Sequence, residues 1–331
     1  MNKASRYTEG FLVVLISISL ISCQSGSSKV GDKPETKASA FGSINDGAVF
    51  AGDYPDPSLI KVGDRYFATA TSSAWVPAYP IFESQDLANW KVVGSVFPKP
   101  PAWTAGNYWA PEIAQIGETF YVYYSAKHAK HGRMCLGVGT SNDPLGPYKD
   151  HGALVCEGPG SIDAMPVVDE AGDRYLFWKE DGNSQQKATP IHIQKLDASG
   201  TKLVGEKTDV LMNDPASWEG HLIEGPFLMK RGEHWYMFYS GNACCGLQCN
   251  YALGVARAKK LNGPWEKNPK NPILKGNDVW KCPGHGSIVR HADGNDVLLY
   301  HAYHADDSVY VGRQAMADVV AWGEDGWPTI N

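Results

Sequence analysis

Four ionisable residues stand at the same place in a repeated sequence pattern: Asp56, Asp163, Glu224 and His285. In every copy a short apolar run, a turn with glycine and a second apolar or aromatic run follow; Ala110 holds the place in the remaining copy. A carboxylic acid can protonate a leaving oxygen while a second carboxylate activates water. The pattern therefore predicts hydrolysis by general acid and base, for which sugars are the usual substrates.

The copies have a long and regular period. Their starting positions are separated by 54, 53, 61 and 61 residues, a length that accommodates four strands of about 6 residues with their loops. In each copy the turn glycine stands three residues before an apolar residue of the next strand. These glycines are Gly63, Gly117, Gly172, Gly232 and Gly294.

This period predicts an all-β fold, a five-bladed β-propeller with the active-site funnel on its central axis. A β-sandwich does not explain so regular a period, and a solenoid is built from smaller and more numerous repeats. Because the inner strands of a propeller begin near the axis, equivalent strand starts should converge in one funnel. Singly, Asp56 and Asp163 would be turn residues and His285 a structural histidine, but their recurrence at one place favours a catalytic centre. We expect His285 at the axis, opposite the acids.

The N-terminus is typical of an export signal. Lys3 and Arg6 precede an apolar run at positions 11–22 that is short for a membrane span. The run ends in "LISC", which resembles the lipobox of a bacterial lipoprotein with Cys23 as the lipidated residue; an ordinary signal peptide is the alternative. We expect a lipoprotein signal at residues 1–23, a flexible tether at 24–45 and the propeller at 46–331. The predicted location is the bacterial cell envelope, lipid-anchored, in the periplasm or at the cell surface.

The composition indicates which partners the protein binds and whether its cysteines form disulfides. A formal charge of −6 argues against nucleic acid as a partner; we expect a carbohydrate substrate and a monomer. In an exported chain the six cysteines after Cys23 favour disulfides. We expect Cys249 to pair with Cys244 or Cys245, although this cluster could instead hold zinc together with Cys282.

Five motifs resemble glycoside hydrolase family 43, the five-bladed propeller arabinofuranosidases, arabinanases and xylosidases. They extend from about Tyr54 towards the C-terminus and read "YPDPSLI", "YWAPEI", "SIDAMPVV", "IEGPFL" and "GHGSIV". The resemblance implies that Asp56 is the general base, Asp163 the group that modulates the pKa of the acid, and Glu224 the general acid.

The same resemblance implies further roles around the funnel. His285 matches an axial histidine that often holds a calcium ion, or a water cluster, through solvent; no cofactor is expected to be required for turnover. Arg313 matches an arginine that approaches the sugar and the base. Ala164 stands where the family usually has proline, which puts the local turn geometry in doubt. Independently of the resemblance, Trp75 and Trp109 are candidates for stacking on a sugar, because aromatic faces suit the C–H faces of a pyranose or furanose; Trp75 could instead be a hydrophobic plug at a blade tip.

The resulting hypothesis is an inverting glycosidase for arabinose- or xylose-containing plant polysaccharides, with α-L-arabinofuranosidase as the first expectation. A β-xylosidase or an endo-arabinanase of the same family is the alternative. The related propellers that cleave sucrose and fructans are less favoured, because their "NDPNG" signature is absent. A propeller that only binds carbohydrate belongs to a different class, against which the intact acidic trio argues.

Overall fold

The hairpins predicted from the repeat are present, and their turns explain the position of each glycine. The computed structural model of the chain describes residues 47–246, 248–306 and 311–330. The predicted signal with Cys23 and the predicted tether at 24–45 lie outside these residues. All five turn glycines have positive φ, between +58° and +90°, a conformation that glycine adopts at little steric cost. In three hairpins the loop has two residues with glycine first, which suits the twist of antiparallel strands.

Twenty strands within the described residues form five antiparallel sheets of four strands each. The first sheet contains β1 (Ser58–Val62), β2 (Arg65–Thr69), β3 (Ala78–Ser84) and β4 (Trp90–Phe97). The second contains β5 (Trp109–Ile116), β6 (Thr119–Lys127), β7 (Met134–Ser141) and β8 (Lys149–Val155). The third contains β9 (Ser161–Val168), β10 (Arg174–Glu180), β11 (Ile191–Leu196) and β12 (Leu203–Leu211). The fourth contains β13 (Ile223–Arg231), β14 (His234–Gly241), β15 (Ala252–Ala258) and β16 (Glu266–Lys267). The fifth contains β17 (Trp280–Arg290), β18 (Asp296–His304), β19 (Arg313–Trp322) and β20 (Pro328–Ile330).

The first strands of the five sheets surround a common axis. Each of β1, β5, β9 and β13 contacts the first strand of the next sheet, and β17 contacts β1 and closes the ring. The predicted five-bladed propeller is therefore confirmed. Helix is confined, among the described residues, to one 3-10 turn at Asn183–Gln185. Within the same residues no helix has the length and apolar character needed to cross a membrane.

Aromatic side chains fill the space between neighbouring blades. Between the first two blades, the ring of Tyr124 lies 5.3 Å from that of Tyr79 and 5.1 Å from that of Phe97, the latter edge-on. All three rings are buried. Edge contacts of this kind are favourable beyond the apolar area they bury, so they hold adjacent sheets at a fixed angle.

A segment before the first blade links the last blade to the first. The backbone N–H of Val49 donates to the carbonyl of Ala315 on β19, and Phe50 forms a single antiparallel bridge with the same residue. The ring of Phe50 stacks on Phe82 of the first blade at 4.5 Å. Residues 48–50 therefore join the ends of the ring, through one bridge instead of a full strand.

Candidate active site

One residue at the head of each inner strand adopts a left-handed backbone conformation. The φ angles are +55° at Asp56, +42° at Ala110, +61° at Asp163, +59° at Gly225 and +42° at His285. In the last four blades the pairing register of the inner hairpin shifts at this point, which marks a β-bulge. A left-handed conformation costs about 1–2 kcal/mol at a residue other than glycine, so the fold stores strain here.

The fourth blade departs from the predicted alignment of the repeats. Gly225, and not Glu224, has the left-handed conformation, so the expected equivalence of Glu224 with the other four positions is wrong by one residue. Glu224 pairs with Ser240 as Trp109 pairs with Ser125 in the second blade. A bulge interrupts the alternation of side chains along a strand, which allows residues at both positions to face the same cavity.

The heads of the inner strands enclose a cavity of about 430 Å³. It brings together most of the residues predicted from the sequence, namely Asp56, Trp109, Asp163, Glu224, His285 and Arg313. Trp75 does not line this cavity, although Ser73, two residues earlier, does. With its side chain 44 % exposed, Trp75 would contact only a substrate that extends beyond the cavity, and its sugar contact stays a prediction.

The carboxylate of Asp56 faces a hydrogen-bond donor and positive charge. Its Oδ2 accepts a hydrogen bond of 2.6 Å from the hydroxyl of Thr71. Its Oδ1 lies 3.6 Å from a guanidinium nitrogen of Arg313 and 3.4 Å from Nδ1 of His285. Burial acts to raise the pKa of Asp56, but Arg313 and then His285 outweigh it and lower the pKa to about 2. Asp56 is therefore ionised at any pH near neutrality.

Asp163 is buried beside the other two acids, and its pKa is raised, whereas that of Asp56 is lowered. Its Oδ2 accepts a hydrogen bond of 2.9 Å from the N–H of Gly225 and lies 4.0 Å from Nδ1 of His285. Burial raises the pKa of Asp163 to about 7, with a further contribution from the charge of Glu224. His285 thus lies between Asp56 and Asp163, and the expectation that it stands opposite the acids is wrong.

Glu224 is held by two donors that the sequence analysis did not identify. The ammonium group of Lys179 donates to Oε2 at 2.7 Å, and the hydroxyl of Tyr251 donates to Oε1 at 2.9 Å. Lys179 is 1 % exposed and also donates to Asp181 and Asn183. Burial alone would lower the pKa of Lys179, but Glu224 and Asp181 raise it to about 12, so a fixed positive charge faces Glu224.

A buried histidine fixes the backbone of Asp56. Nδ1 of His301 accepts a hydrogen bond of 3.1 Å from the N–H of Asp56, so the ring proton resides on Nε2. Burial lowers the pKa of His301 well below its usual range, which keeps the ring neutral. The ring stacks on Tyr251 with the planes 10° apart. His301 therefore packs against the residue that binds Glu224 while it positions Asp56.

Some residues of the second strands share a position that the sequence repeat could have identified. Thr71, Ser125 and Ser240 each stand five residues after the first aromatic residue of the second strand, and they pair or bond across the inner hairpin. Lys179 and His301 take the corresponding pairing position in the third and fifth blades. Comparison of the second strands would therefore have identified Thr71, Ser125 and Ser240. Lys179 and His301 stand four residues and one residue after the first aromatic residue of their strands, and Tyr251 lies before β15, so these three have no such signal.

The segment that closes the ring also positions Arg313. The N–H of Arg313 donates to Oδ1 of Asp53 at 3.0 Å, and its carbonyl accepts from the N–H of Tyr54 at 3.0 Å. Tyr54 stands two residues before Asp56. The joint between the last and first blades therefore holds Arg313 and Asp56 beside each other.

His285 is the residue predicted to contact a metal ion. Its Nδ1 faces the carboxylates of Asp56 and Asp163. Among the described residues, no three potential ligand atoms that include His285 lie within 4.8 Å of one another. A hard cation such as calcium takes six to eight oxygen ligands. The residues fit such an ion only if His285 serves as a single ligand or acts through water, with water supplying the rest of the shell.

The six cysteines after Cys23 are paired in a way that differs from the prediction. The disulfides are Cys135–Cys156, Cys244–Cys245 and Cys249–Cys282. The expected pairing of Cys249 with Cys244 or Cys245 is wrong because Cys282 on β17 approaches the loop after β14, with Cα atoms 5.9 Å apart. This pairing leaves no free thiolate for the zinc alternative.

Comparison with known proteins agrees with this fold. The model described as glycosyl hydrolases family 43 matches residues 46–328, and the chain belongs to this family. The extracellular exo-α-(1→5)-L-arabinofuranosidase ArbA of Cellvibrio japonicus is 28 % identical, over 84 % of this chain and 86 % of that protein. The xylosidase/arabinosidase of Butyrivibrio fibrisolvens is also 28 % identical, but the chain spans only 56 % of its length.

Solved structures support the same assignment. A thermostable family-43 glycoside hydrolase superposes with a TM-score of 0.75 at 28 % identity, covering 84 % of this chain and 92 % of that chain. The α-L-arabinanase of Cellvibrio cellulosa has a TM-score of 0.71 at 25 % identity, covering 85 % and 96 %. The protein is therefore a glycoside hydrolase with a five-bladed propeller.

Gly225 provides a test of the packing in the cavity. A Cβ at this position would lie 2.9 Å from Cγ of His285, so we expect Gly225→Ala to displace His285 and lower kcat/KM at least about tenfold. Gly232→Ala is the matched control, because Gly232 has nearly the same φ, +58°, and open space around it. Gly232→Ala should lose about 1–2 kcal/mol of stability, and Gly225→Ala should lose more because of the clash with His285. Equal activity of the two variants would show that the position of His285 beside Gly225 does not affect turnover.

Proposed function

We propose that the protein is an inverting glycoside hydrolase that cleaves arabinose- or xylose-containing plant polysaccharides or oligosaccharides, with α-L-arabinofuranosidase as the first activity to test. One observation carries the proposal. A single cavity contains an ionised carboxylate, Asp56, and a separate carboxyl group, Glu224, that has its own donors. The names of the relatives, among them the extracellular endo-α-(1→5)-L-arabinanase 1 of Bacillus subtilis, support the choice of pentose substrates.

Asp56 is the group suited to activate water. Its pKa of about 2 keeps it ionised. The hydroxyl of Thr71 donates to its carboxylate and its own backbone N–H donates to His301, so its orientation is fixed. When Asp56 takes a proton from water, the water oxygen can attack the anomeric carbon. Arg313 and His285 lie next to the same carboxylate and limit its movement. A base held in place in this way removes the entropic cost of orienting it in the transition state.

Glu224 is the group suited to protonate the leaving oxygen. Once it has given up its proton it becomes a carboxylate in a buried site, which is costly without partners. Lys179 and Tyr251 already point at its two oxygens and stabilise that product state. Asp56 and Glu224 are held by different partners; His285 contacts Asp56, and Asp163 accepts the N–H of Gly225, the residue after Glu224. This arrangement supports a separation that leaves room for a water and hence inversion.

The substrate is to be established by product analysis. Arabinan, arabinoxylan, and aryl arabinofuranosides and xylosides are each incubated with the protein, and the released sugars are identified. Release of single arabinose units is the expected result, and release of xylose or of arabino-oligosaccharides would instead identify a β-xylosidase or an endo-arabinanase. Relatives that are named xylosidases support the β-xylosidase alternative. No product from any substrate would favour a propeller that only binds carbohydrate.

Attachment to the cell envelope is part of the proposal. The "LISC" sequence ending at Cys23 supports lipidation, and the extracellular relatives support export. Mass spectrometry of the N-terminal peptide from protein made in a bacterial host should show a diacylglyceryl group on Cys23. An unmodified N-terminus at another residue would instead indicate an ordinary signal peptide.

The pH dependence follows from the coupling of Asp163 and Glu224. Two neighbouring carboxyl groups titrate as a pair, and the last proton is held more tightly because the pair resists a second negative charge. We expect the basic limb of the pH–rate profile of Asp163→Asn to move to lower pH by about one unit. The reason is that the variant lacks the negative charge whose repulsion opposes ionisation of the neighbouring acid. A basic limb that stays in place, or moves upwards, would contradict this role of Asp163.

The role of Glu224 is tested by the leaving group. Glu224→Gln should slow hydrolysis of a natural disaccharide about 100- to 1,000-fold, because a sugar alkoxide leaves poorly without a proton. An activated aryl glycoside of the same pentose should lose less than about tenfold, because its phenolate leaves without help. Asp56→Asn is the contrasting variant and should abolish turnover of both substrates. Equal losses for both substrates in Glu224→Gln would show that Glu224 is not the acid.

We propose that turnover requires no metal ion and that any calcium on the axis has a structural role at His285. Asp56, Glu224 and their partners account for both proton transfers without a cation. Protein dialysed against a chelator and shown to be metal-free by elemental analysis should retain full kcat. Loss of kcat that added calcium restores would assign the ion a part in catalysis.

A further inference from the structure

The disulfide between Cys244 and Cys245 forms part of the cavity wall. The two residues are neighbours in the chain, so their disulfide closes a small ring that contains the peptide bond between them. Both residues line the cavity that contains Glu224. Cys244 is half-buried and Cys245 is exposed. The disulfide-linked pair is therefore accessible to whatever enters the cavity.

Several contacts hold this ring in place. Cys244 packs against a buried cluster that includes Leu222 and Tyr251. The Cys249–Cys282 disulfide ties the same loop to β17. Asn250 adds two hydrogen bonds across the loop, donating its N–H to the carbonyl of Ala243 at 3.1 Å and accepting the N–H of Ala243 at 3.0 Å through Oδ1. The loop is thus anchored independently of the bond between Cys244 and Cys245.

The chemistry of the ring suits contact with a sugar. Sulfur is polarisable and forms only weak hydrogen bonds, so the ring presents a mainly apolar surface to the C–H face of a pentose. The ring also has no free side-chain rotation to lose on binding, which lowers the entropic cost of the contact. In these respects it resembles the face of an aromatic side chain.

The position of the ring indicates which sugar it contacts. Tyr251 packs in the same cluster as Cys244 and donates to Glu224, so the ring lies on the Glu224 side of the cavity. We propose that the Cys244–Cys245 disulfide is a binding surface for the sugar on the leaving-group side of the cleaved bond, and that it favours saccharide over small leaving groups. This inference rests on the proposed function, because Glu224 marks that side only as the general acid.

The experiment compares two leaving groups in a variant without the ring. Cys244→Ala/Cys245→Ala is assayed on a disaccharide of the pentose that the wild type releases and on the glycosyl fluoride of that pentose, whose leaving group contacts no sugar site. We expect kcat/KM on the disaccharide to fall about tenfold, mainly through KM, and kcat/KM on the fluoride to change less than about twofold. Cys135→Ala/Cys156→Ala is the matched control; it removes a disulfide that does not line the cavity and should alter the two substrates equally.

The outcomes separate this inference from the proposed function. Equal effects on both substrates in the Cys244→Ala/Cys245→Ala variant, or no effect on either, would overturn the inference while the glycosidase activity stands. A wild type that releases no pentose from any of the substrates tested would overturn the proposed function and the inference with it. Peptide mapping of the non-reduced wild type gives a check that does not depend on folding of the variant. Free thiols at Cys244 and Cys245 would overturn the inference.

Discussion

Burial of three carboxyl groups in one cavity is the constraint on which the rest of the site depends. Asp56, Asp163 and Glu224 would repel one another strongly if all were ionised away from water. Two of the three acids have a positively charged partner of their own: Arg313 lies beside Asp56, and Lys179 lies beside Glu224. Asp163 receives less positive charge, and its pKa rises to about 7. Asp56 and Asp163 thereby acquire very different proton affinities although they share one cavity.

The backbone conformation at the heads of the inner strands brings these charged side chains into one cavity. A regular strand would direct alternate side chains to opposite faces of the sheet, but in the last four blades a bulge at the head of the inner strand lets neighbouring residues face the cavity. The strain of the left-handed residues is tolerated because each of them is fixed by its surroundings. At Asp163 and His285, for example, the backbone N–H donates to Ser125 and Ser240 of the preceding blade. Closure of the ring then brings Arg313 to Asp56.

The parts of this structure set by local sequence were predictable, and those set by contacts across the fold were not. The turn glycines and the period defined five blades, because a hairpin turn requires positive φ at a fixed spacing. The register of the fourth blade is set by Gly225 and not by Glu224, and the spacing carries that signal: Gly225 stands seven residues before Gly232, as in the first two blades. Lys179 and the Cys249–Cys282 pair depend on neighbours distant in sequence.

The central claim is that Asp56 activates water on the face of the sugar opposite the bond that Glu224 helps to break. Proton NMR of the anomeric signal during the first minutes of hydrolysis tests this most directly, before mutarotation mixes the products. Inversion predicts that the first sugar released has the anomeric configuration opposite to that of the substrate. A first product with the configuration of the substrate would require a covalent intermediate and would contradict the assignment of Asp56 as a base.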